Sequence, residues 1–259
     1  MDKQTKVPAI VLLVAVLLLS GCGSHTMPGP APTPIALTIP GLVLYYPFNG
    51  NADDLSDSRT NGQVHGATLA KDRFGHANRA YQFDGVDDLI TFDASKMPVG
   101  NAPRTISAWV NVASFPPERL QGLGSRATVV GWGLGDWEKL SEMLILDGRV
   151  QYHTYDSFGR DVTSNIRLEL NRWYHIVIVY ADGSESVYIN GVEDKHGPCA
   201  LDTAAGKGSI GDYPDPQRTF TGIIFHSYFH GTIDDVSVYN RALSAAEIQA
   251  LYTEGGWGK

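Results

Sequence analysis

The side chains best equipped for chemistry in this 259-residue sequence are carboxylates gathered in three places: Asp53/Asp54, Asp84/Asp87/Asp88 and Asp234/Asp235. Oxygen-rich loops of this kind suit Ca2+, which takes roughly six to eight oxygen ligands. No single stretch has EF-hand spacing, so a calcium site must be assembled across the fold. The plain alternative is a set of solvated turn aspartates capping strand ends. Glycoside hydrolysis needs two paired carboxylates. Glu138 and Glu142 come nearest to such a pair, but no acidic residue lies between them, and Asp136-Trp137-Glu138 reads as loop. No Gly-x-Ser-x-Gly elbow occurs either. We expect no catalytic set.

Sugar recognition asks for aromatic faces and planar polar partners. Trp132, Trp137, Tyr152, His153, Tyr155 and Tyr213 lie in or beside loops or on an alternating strand. Along Val150–Tyr155, one face shows Val150, Tyr152 and Thr154, and the other shows Gln151, His153 and Tyr155. The second face is the better wet surface. Gln151, His153 and Tyr155, with Trp132 and Trp137, form the expected ligand-binding set. Trp109, Trp173 and most tyrosines are expected in the core. His226 and His230 sit four apart in what reads as strand or loop, so helical zinc geometry does not follow, and we expect rim or core packing. Cys199 has no cysteine or histidine partner at metal spacing and reads as inert.

These residues need a scaffold. The composition is 43% hydrophobic and 19% charged, which excludes a disordered chain, a collagen-like chain and a coiled coil. A net charge of −8 argues against nucleic acid and against electrostatic docking on anionic lipid. Met1–Lys6 carries two lysines, and Val7–Leu19 is a nearly uninterrupted apolar run. That run is too short to span a bilayer and suits a signal-peptide core. It ends in Leu19-Ser20-Gly21-Cys22, which resembles the bacterial lipobox and implies cleavage before Cys22 and lipid on its thiol. Residues 1–21 are thus expected as a lipoprotein signal peptide, and the mature chain as anchored in the cell envelope through Cys22. Gly23, rather than Asp, favours the outer membrane where enterobacterial-type sorting operates. Residues 22–40 hold Pro28, Pro30, Pro32, Pro34 and Pro40 and read as an extended tether without fold.

From Gly41 to the end, short apolar or alternating runs recur between Gly, Asn and Asp. Leu42–Tyr46, Ala80–Phe83, Leu89–Phe92, Thr105–Val112, Met143–Leu146, Val150–Tyr155, Trp173–Tyr180, Ser186–Ile189 and Thr232–Tyr239 read as strands. Asp147-Gly148, Asp182-Gly183 and Asn190-Gly191 supply hairpin turns. Ser244-Ala-Ala-Glu247 is a capping box opening one short helix, Ala245–Tyr252. The stretch 115–140, with Pro116-Pro117 and several glycines, departs from strand pattern. Many short strands and one helix predict an all-β, antiparallel sandwich over 41–259.

Several of these stretches resemble laminin-G-like domains of the concanavalin A-like lectin/glucanase superfamily. They are Gly41–Asp54, Phe74-Gly75, Ala80–Ile90, Thr105–Val110, Trp173–Val177, Val187–Gly191 and Gly231–Ser244. The resemblance implies a jelly roll of two curved sheets, one of which often binds glycans on its concave face. It also implies a structural Ca2+ held by carbonyls near Asn49, the carbonyl of Gly85 and the carboxylate of Asp234, which heads Asp-x-Val-x-Val-Tyr; Asp54 and Asp84 are secondary candidates. The Glu-x-Asp-x-x-Glu pattern of the laminarinase-type relatives is missing. The expected function is a non-catalytic recognition module for a carbohydrate or glycoprotein. The alternative is a structural or assembly lipoprotein docking an envelope protein, with a polysaccharide-active enzyme of unrecognised site as the least favoured reading.

Overall fold

The computed structural model describes residues 34–116, 124–134, 139–154, 161–213, 219–220, 223–224 and 226–258. The strands are β1 (Leu42–Tyr46), β2 (Gln63–His65), β3 (Thr68–Ala70), β4 (Ala80–Asp84), β5 (Leu89–Asp93), β6 (Arg104–Val112), β7 (Arg126–Gly133), β8 (Leu140–Leu146) and β9 (Arg149–His153). They continue with β10 (Thr163–Arg167), β11 (Trp173–Ala181), β12 (Ser184–Ile189), β13 (Val192–Pro198), β14 (Lys207–Ile210), β15 (Thr219–Phe220), β16 (Ile223–Ile224) and β17 (His230–Tyr239). The first sheet runs β13-β12-β11-β6-β17-β4-β3, with β1 also on β17, and the second runs β10-β9-β8-β7-β14-β5-β2. All pairings in both sheets are antiparallel. The chain is an antiparallel sandwich, as its strand pattern predicts, and a jelly roll, as the resemblance implies.

Alternation decides which side chains meet between the sheets. In β6, Ile106, Ala108, Val110 and Val112 all face inward and are buried in one cluster with Ile176 and Ile178 of β11 and Met143 and Ile145 of β8. The three expected hairpin turns connect β8 to β9, β11 to β12 and β12 to β13. Both residues of each turn have positive φ, as in Asp147 (49°) and Gly148 (80°).

The stretch 115–140 holds a buried strand after all. Every residue of β7 from Ala127 to Gly133 is buried, and the strand sits between β8 and β14. Its glycines hid it. A Cβ on Gly131 would lie 3.1 Å from the Ser141 carbonyl oxygen, so the close approach of β8 selects glycine there.

Residues 35–38, expected as unfolded tether, belong to the domain. Ile35–Thr38 forms a 3-10 turn on the body of the domain, with Ala36 and Ile39 buried. These residues join Tyr45, Val177, Tyr188, Tyr239 and Leu243, and Ile248 and Leu251 of helix α1 (Ala245–Tyr252), in a second apolar cluster. Val177 alternates with the inward Ile176 and Ile178, so this cluster lies on the outer face of the first sheet. The Ile35 N–H also donates to Glu254 Oε1 at 2.8 Å. The first sheet is thus sealed on its outer side. Helix α1 starts where the capping box places it, with the Ser244 and Glu247 side chains bonding reciprocally to backbone. Leu19–Cys22 and the rest of the expected signal and tether segments, up to residue 33, lie outside the described residues.

Candidate functional site

The outer face of the second sheet carries a polar network. In β9, Val150 and Tyr152 enter the core, which turns Gln151 and His153 outward. In β8, Met143 and Ile145 go inward and Glu142 and Leu144 outward. The register sets Glu142 opposite His153 and Leu144 opposite Gln151, so Glu142 and His153 are same-face neighbours. Thr128 of β7 donates its hydroxyl to Glu142 Oε1 and shares a hydrogen bond with the Ser227 hydroxyl.

Two carboxylate–histidine pairs flank Glu142. His153 Nδ1 meets Asp161 Oδ2 at 2.5 Å, and His226 Nδ1 meets Asp212 Oδ2 at 2.7 Å. The Ser227 N–H holds the other Asp212 oxygen at 2.7 Å. Gln151 accepts from Arg126 Nη2 at 3.3 Å and donates to Thr163 Oγ1 at 2.9 Å. The rings of His226 and Tyr228 stack at 4.7 Å. Glu142, Thr128, Gln151, His153, Asp212 and Ser227 are buried, whereas Arg126, Asp161, Thr163, His226 and Tyr228 keep part of their surface in water. Burial pushes the Glu142 carboxyl up to about 7, with Asp212 and Asp161 adding to the rise against Thr128 and Arg126. Burial also raises Asp212, against its bonds to His226 and the Ser227 N–H.

Of the expected ligand-binding set, Gln151 and His153 lie on this outer face, but both are buried in its network and not on the wet surface expected of them. Trp132 does not lie on this face. Its side chain is fully buried between the sheets, and its Nε1–H donates to the Pro98 carbonyl at 2.9 Å. Two successive β7 residues, Val129 and Val130, both enter the core at a register shift, and this resets which side chains point inward. Trp137, Tyr155 and Glu138 lie outside the described residues. Tyr213 is buried. His226 sits at the rim, as expected. Thr128, Asp161 and Asp212 were not visible as site residues in the sequence, because their partners are far along the chain. Cys199 is buried, and burial together with the Glu185 carboxylate raises its thiol well above the ordinary range.

The calcium set is not brought together. His230 pairs with Asp84, next to Gly85, so Asp234 lies four residues farther along β17, about 13 Å away. Asp234 is buried, and its Oδ2 accepts from Arg73 Nη1 at 3.0 Å. The same Nη1 reaches Asp235 Oδ2 at 2.7 Å. The guanidinium lies over the rings of Phe74 and Trp109 at 4.6 and 4.5 Å. Asp54 is committed to its own loop, accepting from the N–H groups of Tyr45, Ser56 and Thr60. Asn49 is exposed beside Gly50. Asp84, Asp87 and Asp88 do converge, with ligand oxygens within 4.8 Å of one another. There the Asp84 N–H already binds Asp88 Oδ2 at 2.8 Å, and Asp84 Oδ1 accepts from the Val86 N–H.

The sandwich thus has one outer face covered by helix α1 and the Ile35–Thr38 turn and one that carries the polar network. Residues 84–249 match the Laminin_G_3 family, described as the concanavalin A-like lectin/glucanases superfamily, and the chain belongs to it. No curated protein sequence matches the chain. Among solved structures it is similar to Domain 4 of AbnA, a GH43 extracellular arabinanase from Geobacillus stearothermophilus, in complex with arabinotriose. There the TM-score is 0.60 at 19% identity, over 82% of this chain and 98% of that one. It is also similar to the binding domain of Paraclostridial Mosquitocidal Protein 1 (TM-score 0.61, 18% identity, 82% of this chain and 52% of that one). A third is the botulinum neurotoxin serotype D ligand binding domain in complex with N-acetylneuraminic acid (0.59, 12%, 83% and 51%). This chain spans about half the length of the two toxin domains. At these identities the likeness is one of fold.

Proposed function

We propose that this protein is a non-catalytic carbohydrate-recognition module, and that it binds at the partly exposed rim of the second sheet's outer face, at Asp161, Thr163, His226 and Tyr228, with Gln151 and His153 buried behind them. The observation that carries this reading is the asymmetry of the sandwich. Helix α1 and the Ile35–Thr38 turn cover one outer face, and the other bears a network of amide, imidazole, carboxylate and hydroxyl groups with a stacked His226–Tyr228 pair at its rim. Planar polar groups beside a ring face are what a sugar's hydroxyls and C–H face require. The bound arabinotriose and N-acetylneuraminic acid in two proteins of the same fold support the choice of ligand class. The binding-domain names of the two toxin neighbours support the absence of catalysis. We further propose that Cys22 carries the lipid that holds this module in the cell envelope, on the strength of the apolar run and Leu19-Ser20-Gly21-Cys22.

A glycan array probed with the full chain, with Ca2+ and again with EDTA, tests the reading. Saturable binding in both buffers, lost in Asp161→Ala, is the expected result. Silence across the array, with one stoichiometric protein recovered from an envelope extract, would instead favour a docking lipoprotein.

A further inference from the structure

On the covered side of the sandwich, His175 has one ring nitrogen unmet. It alternates with the inward Ile176 of β11, so its side chain lies under helix α1, buried against the rings of Trp109 and Tyr252 at 5.1 and 6.1 Å. Its Nε2 shares a hydrogen bond with Ser107 Oγ at 2.8 Å. Its Nδ1 is buried and has no hydrogen-bond partner among the described residues. A buried polar atom left in that state costs at least as much as a lost hydrogen bond. A cavity of about 10 Å3 lies against the same imidazole. That is the room one water molecule needs and far too little for a sugar ring. Its polar walls come from distant parts of the chain: Tyr45 of β1, Ser107 of β6, Asp235 and Ser237 of β17, and Glu254 beyond helix α1, with Ala36 of the N-terminal turn beside them. The Tyr45 hydroxyl donates to Asp235 Oδ1 at 2.9 Å, and Glu254 Oε1 accepts from the Ile35 N–H at 2.8 Å. A carboxylate offers about four acceptor positions, so both retain capacity for another donor.

We infer that this cavity is a binding site for one ordered water, which bonds His175 Nδ1 and a carboxylate oxygen of Asp235 or Glu254. Polar walls and an unmet buried nitrogen distinguish such a site from a dry apolar cavity. Water suits either form of the imidazole, since it accepts from an Nδ1–H and donates to a bare Nδ1. The bridge has a structural consequence. Glu254 already holds the backbone of the N-terminal turn, so a water between it and His175 fastens that turn to the first sheet by a polar link, in addition to the apolar packing around Ala36 and Ile39.

A high-resolution crystal structure of the full chain reads the site directly. One water is expected within about 3.2 Å of His175 Nδ1 and of a carboxylate oxygen of Asp235 or Glu254. A cavity without density, density that makes neither bond, or a protein group on Nδ1 overturns the inference. Thermal melts of variants give a second reading. Ala36→Val puts methyl groups into the same space and displaces the water. It should lower the melting temperature by about 3–6 °C, because Nδ1 is then left unmet. In a His175→Phe background no nitrogen needs a partner, and the same change should cost less than about half as much. Equal losses in the two backgrounds overturn the inference. If His175→Phe does not fold, the crystal result decides, because it needs no variant.

Discussion

Arg73 and Asp234 lie 161 positions apart in the chain and meet at 3.0 Å beneath Trp109, each almost wholly withdrawn from water. One guanidinium there answers two adjacent carboxylates, Asp234 and Asp235, and the Tyr45 hydroxyl bonds Asp235 at 2.9 Å. Burial and the Asp235 charge raise Asp234 well above the usual carboxylate range, and Arg73 opposes that rise. Replacing Arg73 by Met strands this pair. We expect a loss of about 3–5 kcal/mol in denaturant unfolding at pH 7. The loss should be smaller at pH 5, where the stranded carboxyls can protonate. Adding Asp234→Asn and Asp235→Asn should restore most of it. An Arg73→Met protein as stable as the parent would show that the pair is incidental.

Because a side chain already neutralises Asp234, metal withdrawal should matter little. We expect the melting temperature in EDTA to stay within about 1 °C of that in millimolar Ca2+. A clear drop in EDTA would contradict this and would direct attention to the Asp84, Asp87 and Asp88 turn.

Two buried groups shape the stability-against-pH curve from opposite sides. Glu142 is raised from 4.5 to about 7 in the fold, so its contribution is complete below 4.5 and is lost as pH climbs through 7. His175, bonded to Ser107 at 2.8 Å, is lowered from 6.5 to about 3, first by burial and then by Arg73. Its contribution is present above 6.5 and is lost as pH falls toward 3. Thermal melts from pH 4 to 9 should therefore peak between these limbs. Glu142→Gln should flatten the alkaline limb, worth up to about 3 kcal/mol, and His175→Gln the acid one. Unchanged limbs in the two variants would assign them to other groups.

Trp132→Ala should cost about 3–5 kcal/mol, as for other large core truncations. Trp132→Phe should cost far less, chiefly the hydrogen bond to Pro98. If either change altered glycan affinity without altering stability, Trp132 would belong to the ligand after all.

Ser244→Ala should destabilise by about 1 kcal/mol through the lost cap. Helix α1 helps to seal the first sheet, so amide exchange should quicken at Ile248 and Leu251 before it does in β6. Uniform exchange along both elements would argue that the helix and sheet open as one unit.

The sandwich was legible in the sequence wherever one face of a strand is apolar and the ends are marked. β6 shows this with four inward aliphatics, and so do the hairpins at Asp147-Gly148, Asp182-Gly183 and Asn190-Gly191. β7 was not legible, because glycines chosen for close strand approach look like loop. The β9 alternation separated Gln151 and His153 from the inward Val150 and Tyr152, but it could not show that both would be buried. It could not show Asp161 pairing with His153, or Asp212 with His226 across fourteen positions. Nor could spacing reveal that Arg73 would reach Asp234. Such pairings are products of topology, and no local pattern encodes them.

The Ile35–Thr38 turn also gives the sandwich two chemically distinct sides. The turn lies on the far side of the first sheet, and the Glu142 network is on the far side of the second, with the packed core between them. A label coupled at the exposed Thr38 is therefore held apart from the Glu142 network by both sheets.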